Sequence, residues 1–201
     1  ADHWGGSATF NYSKPDSDTR GNTTQMGALF SGPLTDNLGV RIGANVTDRE
    51  SDRGARQTPG NKAENANVLF DWRISDSHVV GVEASRGTQR NSGAGQVNSW
   101  GLSKLVQTGY VIRHDGTYSD ATTSKTTLVQ NEYEDKGSDV GNRSKETVFD
   151  TAFNTGFHWG VEHSLNVGGQ WKREELENSD TIGTLPVTWT GSGRISPTSE
   201  A

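Results

Sequence analysis

The chain has 201 residues, a net charge of −6 and only 29% hydrophobic residues, against a usual globular share of about 45–50% on a slightly different residue set. The acidic balance excludes nucleic acid as a partner, because phosphate binding needs a basic face. The absence of cysteine excludes disulfides, thiolate nucleophiles and Cys-ligated zinc, and no run approaches the roughly 20 apolar residues of a membrane helix.

Alternation of apolar and polar residues, the mark of a strand with one oily and one wet face, predicts nine strands. The first covers about Trp4–Tyr12 and the second about Asn22–Ser31, where Met26, Ala28 and Phe30 share a face. Gly32-Pro33-Leu34-Thr35-Asp36-Asn37 reads as a compact turn. The third strand, Leu38–Thr47, is the clearest: Val40, Ile42, Ala44 and Val46 point one way, Arg41 and Asn45 the other. Asp48–Ala63 is a long charged loop. The fourth strand, about Glu64–Ile74, sets Ala66, Val68, Phe70, Trp72 and Ile74 against Asn67, Leu69, Asp71 and Arg73.

Ser75-Asp76-Ser77 turns the chain into strand five, about His78–Arg90, with Val80, Val82 and Ala84 on its apolar face. After the Gly/Ser/Asn-rich stretch Asn91–Gly101, strand six runs about Leu102–Arg113 to a turn at His114-Asp115-Gly116. Strand seven reaches about Glu134, with Val129 and Tyr133 as its expected outward residues. Asp135–Lys145 is again a long loop. Strand eight carries Phe149, Phe153 and Phe157, and Gly160-Val161-Glu162 turns into strand nine, about His163–Glu174, with Leu165, Val167 and Trp171 on one face. Glu175–Ala201 reads as a polar tail without a strand partner.

Connections therefore alternate long and short from first to last. Short turns at one rim and long loops at the other are the layout of a transmembrane β-barrel. Trp72, Phe157 and Trp159 fall beside short turns, where an interfacial aromatic girdle would sit. The inward residues Arg41, Asp71, Arg73, Gln170 and Lys172 would avoid lipid. The composition agrees, because a barrel with a wet interior needs apolar residues only on its outer band.

Enzyme chemistry finds little support. His3, His78, His114, His158 and His163 are scattered without metal-ligand spacing. Glu174, Glu175 and Glu177 read as a solvated rim. The two Gly-x-Gly sequences, at Gly93–Gly95 and Gly191–Gly193, have no following helix to cradle a phosphate.

An ordered set of segments carries a family resemblance: WGGSATFNYS, SGPLTDNLGVRIGANVTDRE, NANVLFDWRISDSHVVGVEASRGTQRN, VIRHDGTYSDATTSKTTLVQNEYED and HSLNVGGQWKREELEN. Together they resemble the TonB-dependent outer-membrane receptors for ferric catecholate siderophores, the enterobactin-receptor and colicin-I-receptor group. The resemblance implies an all-β segment of a 22-stranded barrel, residues 1–201 being a partial barrel with its plug domain absent. It implies a bacterial outer-membrane location and import of iron chelates. The expected partners are a ferric siderophore, the lipid bilayer and, for an intact parent only, TonB; a colicin or a phage is a further candidate. Iron would be carried by the siderophore, so no protein metal ligand and no other cofactor is expected.

An anionic, aromatic iron chelate calls for cations and flat rings near the mouth of the barrel. The loop candidates are Arg86, Arg90, Trp100 and Lys104 around the third loop, and Lys136 and Arg143 in the fourth. The lipid-facing candidates are Val40, Ile42, Ala44, Val46, Val68, Phe70, Trp72, Val80, Val82, Phe153, Leu165, Val167 and Trp171. Two other readings stay open. A small complete barrel of eight to ten strands with a structural or adhesive role requires strand nine to close on strand one. A soluble β-sandwich binding carbohydrate requires two apolar faces packed together.

Overall fold

The computed structural model describes residues 3–53, 58–92, 104–136, 142–178, 181–184 and 188–197. Dyad alternation does produce strands throughout. Nine long strands follow one another as an antiparallel meander: β1 (Gly5–Ser13), β2 (Thr23–Thr35), β3 (Leu38–Arg49), β4 (Gly60–Ser75), β5 (His78–Ser92), β6 (Lys104–Ser119), β7 (Thr122–Asp135), β8 (Asn142–Trp159) and β9 (Val161–Asn178). The expected all-β, up-and-down architecture is therefore present. No helix among the described residues is long and apolar enough to cross a membrane, which says nothing of strands.

Several boundaries differ from the sequence expectation. β2 runs through Gly32 and Pro33 to Thr35, so the turn shrinks to Asp36–Asn37. Proline has no N–H to give a ladder, and the register shift between Pro33 and Thr35 accommodates it. β6 likewise passes through His114-Asp115-Gly116 and turns only at Asp120–Ala121. Gly116 belongs in the strand because two imidazoles crowd it: an added Cβ would lie 3.2 Å from both His114 and His78. The final short turn is one residue, Gly160, at φ 74°, a conformation that costs glycine nothing.

Two expectations fail outright. Val129 and Tyr133 pair with Val111 and Gln107, which puts them on the face of Arg113 and Asp150; β7 instead shows Leu128 on the apolar side. The tail also has a partner. β10 (Thr181–Thr184) and β11 (Thr188–Pro197) both lie antiparallel to β9 and extend the sheet by one position.

A single sheet has no second layer. Among the described residues Val40 and Val106 are the only buried apolar side chains, and no large side chain is fully buried. That removes the sandwich reading, which needs two inner faces packed on each other. Among the described residues β1 pairs only with β2, while β9 pairs with β8, β10 and β11. Closure of strand nine on strand one, the requirement of the small-barrel reading, is absent.

Candidate functional site

Register turns the alternation into two continuous faces. The hydrogen-bonded row Val40, Phe70, Val82, Ile112, Leu128, Phe149, Trp171 is apolar from β3 to β9. All thirteen residues expected to meet lipid share this face. Several of them are well exposed on the bare sheet, Ile42 at 50% and Val82 at 44%, while Val40 is buried. Aromatic rings partition almost completely: of the described Phe, Tyr and Trp side chains, only Tyr133 lies on the opposite face. Trp4 stacks on Phe30 at 5.0 Å and covers Gly32, where an added Cβ would sit 2.2 Å from the indole. This cover is what buries Val40, the cross-strand neighbour of Gly32.

The edge of the apolar band does not follow the hydrogen-bonded rows. On β3 its last member toward the long loops is Val46, whose row continues through Glu64, Thr88, Val106, Glu134 and Arg143 to Glu177. On β9 the last apolar member is Trp171, six residues short of Glu177. A slip of about 20 Å along the strands over six inter-strand steps, about 29 Å, makes an angle of about 35°. The short turns slip in the same sense. The row of Leu38 ends at Gly169, eight residues from Val161 at the last turn, which gives about 43°. Transmembrane barrel strands tilt by about 35–45°, so a level band and a level rim are obtained together at the tilt a barrel requires.

Near the short turns the band ends in a ring cluster that sequence reading dispersed among turns. His78 and His114 stack with Nδ1 and Nε2 3.1 Å apart, Tyr118 sits edge-on to His78, and Phe153 lies 6.2 Å from Tyr118. The signal was present in the pairing of Val80 with His114, which needs the register to be seen. Trp72 and Phe157 lie on the same face, and Trp159 beside them is 82% exposed. These are amphipathic or aromatic groups of the kind that sit at membrane interfaces.

Polar side chains and glycines cover the other face. Asp71, Gly81 and Arg113 form one row, and Asp71 pairs with Arg113 at 2.8 Å across the intervening strand. Only a residue without a side chain lets the two meet: a Cβ on Gly81 would lie 3.1 Å from the guanidinium and 3.2 Å from the carboxylate. Arg41, Asp71, Arg73 and Val79 line a cleft of about 440 Å³ beside the short turns. Farther up, Asn45 with Asn65, Asn67 with Glu83 and Gln170 with Asp150 are hydrogen-bonded across strands. Lys172 pairs with Glu146 and Glu174.

At the loop end, the first two long connections are fastened together. Gly21 N–H donates to Asp52 at 2.9 Å, Arg49 pairs with Asp52 at 2.6 Å, and Arg53 N–H donates to Thr19. The Gly21 hydrogen bond, helped by Thr58 and Arg49, holds the Asp52 carboxyl below its usual range.

The expected ligand residues are placed unevenly. Arg86, Arg90, Lys104 and Arg143 fall in the outward rows, above the apolar band and on its face. Lys136, at the end of β7, pairs with Glu134 of the same face. Trp100 lies outside the described residues. Arg143 pairs with Glu132 at 2.8 Å, and this bond lowers the Glu132 pKa. Tyr133 is the residue that sequence reading misplaced: it brings its ring to the polar face near the loop end, where Gln107 donates to its hydroxyl at 3.4 Å. Among the described residues no group of three His, Cys, Asp or Glu side chains could hold a metal ion.

Known proteins agree with this geometry. No family model matches the chain, and no curated protein matches it. Solved structures do. The siderophore receptor PirA from Pseudomonas aeruginosa is similar over 97% of this chain and 34% of its own, with a TM-score of 0.77 at 22% identity. PirA from Acinetobacter baumannii gives 0.72 at 19% identity, covering 88% of this chain and 31% of that one. A mutant of the ferric enterobactin receptor PfeA from Pseudomonas aeruginosa gives 0.71 at 17% identity, covering 88% and 32%. The fold is thus that of the barrel wall of a siderophore receptor, as the ordered segments led us to expect. The chain spans about a third of the length of these structures.

Proposed function

We propose that the chain is a length of outer-membrane barrel wall from a TonB-dependent receptor that imports ferric catecholate siderophores. The observation that carries this is the apolar band, which runs level only when the strands tilt as membrane barrels require. The solved neighbours are receptors rather than enzymes, and two structures of PfeA mutants hold enterobactin. In this reading the apolar face meets hydrocarbon and the polar face meets the barrel interior. The fragment by itself would transport nothing. Iron stays within the siderophore, TonB would act on the intact parent, and colicins or phages would use the same loops.

Ligand contact belongs to the inward side of the loop end. Tyr133 is the described aromatic ring available there, and an offset stack on a catechol ring is worth about 0.5–1.5 kcal/mol. Trp100 is the further candidate from the third loop. Uptake of labelled ferric enterobactin by cells should require the gene that encodes this chain, while uptake of a ferric hydroxamate should not. Tyr133→Ala should weaken ferric enterobactin binding by about 2- to 12-fold. Equal uptake with and without the gene would reject the transport reading.

A further inference from the structure

Two imidazoles meet on the outward face near the short turns, and the transport reading makes no use of them. His78 and His114 come from adjacent strands on a diagonal, because His78 pairs with Gly116 and His114 with Val80. Their Nδ1 and Nε2 atoms lie 3.1 Å apart, with ring planes 9° from parallel and centroids 5.2 Å apart. At that centroid separation the rings are offset, and the two nitrogens face each other at the ring edges. Gly116 opens the space beside them. A Cβ there would lie 3.2 Å from His78 Nδ1, 3.2 Å from His114 Cε1 and 3.1 Å from Ser124 Oγ. Tyr118 borders the same space: its hydroxyl meets Ser124 Oγ at 3.2 Å and its ring stands edge-on to His78. The cross-strand neighbours of the two histidines, Ser75, Val80, Gly116 and Thr126, carry no charge.

We propose that His78 and His114 form a binding site for one divalent ion of the zinc class. The site is separate from the imported cargo, whose iron stays in its chelate. Zinc–imidazole bonds are about 2.0–2.1 Å long, so two nitrogens 3.1 Å apart subtend about 98° at a shared ion. That angle lies between the square-planar value of about 90° and the tetrahedral value of about 109°. A neutral pair of rings shares one proton between the facing nitrogens. Binding moves that proton to the far nitrogen of its own ring, so both imidazoles ligate as neutral bases. A small swing of each ring toward the space beside Gly116 brings both lone pairs onto one point. Ser124 Oγ, on the edge of that space, is placed to hold a metal-bound water by a hydrogen bond. No third His, Cys, Asp or Glu joins the pair among the described residues. A structural zinc site takes four protein ligands; with two, the ion exchanges readily and ties β5 to β6 only while bound.

The test folds the full chain in dodecyl maltoside and titrates it with zinc chloride in a calorimeter at neutral pH. One ion should bind per chain. His78→Gln and His114→Gln should each weaken zinc binding by at least the roughly 10- to 100-fold that loss of an outer-shell partner costs. Gly116→Ala should weaken it as well, by filling the space into which the rings swing. His3→Gln, His158→Gln and His163→Gln should each bind zinc like the wild type. Circular dichroism of every variant checks that the sheet has formed. A second measurement needs no variant: zinc should protect His78 and His114, and not His163, from modification by diethyl pyrocarbonate, read by mass spectrometry. Absence of one-to-one zinc binding, wild-type affinity in His78→Gln and His114→Gln, or equal labelling of the pair with and without zinc would overturn the proposal. Zinc binding is read without any siderophore, so its failure and the failure of the transport reading are distinguishable.

Discussion

Replacing Val82 with arginine separates a membrane wall from a water-exposed sheet. Val82 lies between Phe70 and Ile112 in the central apolar row and is 44% exposed. If water covered that face, a long charged side chain would reach solvent at almost no cost. If hydrocarbon covers it, arginine near the bilayer midplane costs about 2–4 kcal/mol, about a 30- to 1,000-fold loss in the folding equilibrium. Thr88, on the same face of β5, lies six residues farther on. At a tilt near 40° that is about 16 Å higher, where the cost of arginine falls to about 0–1 kcal/mol. Guanidinium chloride unfolding of the chain in phosphatidylcholine vesicles, followed by tryptophan fluorescence, should give a lower midpoint for Val82→Arg. Thr88→Arg should unfold near the wild-type midpoint. Identical midpoints for all three proteins would refute the assignment of this face to lipid.

Three smaller perturbations test local parts of the account. Gly32→Ala should expel Trp4 from Phe30, costing about 0.5–1.5 kcal/mol and shifting tryptophan emission to the red; unchanged emission would contradict the stack. Gly21→Ala places a Cβ 1.9 Å from the Glu50 carbonyl oxygen, so it should detach the first two loops and speed proteolysis within residues 50–59. The same fastening should depend on pH. Because folding depresses the Asp52 pKa, its contribution is full above the unfolded value of about 3.9 and is lost as pH falls through the lower folded value. Exchange of the Gly21 amide should therefore gain an opening step in acid that Asp52→Asn shows already at neutral pH.

Most of the wall was readable from alternation, because a period of two leaves each strand only two ways to face. Where apolar residues sit at every second position, as at Val40–Val46 or Val68–Trp72, the sequence decides between them. β7 carried Leu128 and Val129 side by side, with a tyrosine in phase with the valine. Only pairing with Ile112 and Phe149 resolves that tie in favour of Leu128. His114-Asp115-Gly116 resembled a turn because its residue types favour one, yet its glycine makes room for two imidazoles inside a strand. The basic residues were found by charge alone, which carries no direction. Register shows that Arg86, Arg90 and Lys104 point with the apolar band, information that spacing across an 11-residue loop cannot supply.

Polarised infrared spectroscopy of the chain in oriented phosphatidylcholine bilayers measures the strand tilt itself. Amide I dichroism should report strands tilted by about 35–45° from the bilayer normal, matching the angle at which the apolar edge and the short turns both run level. Strands lying flat on the surface, or a chain that stays in the aqueous phase without detergent, would contradict it.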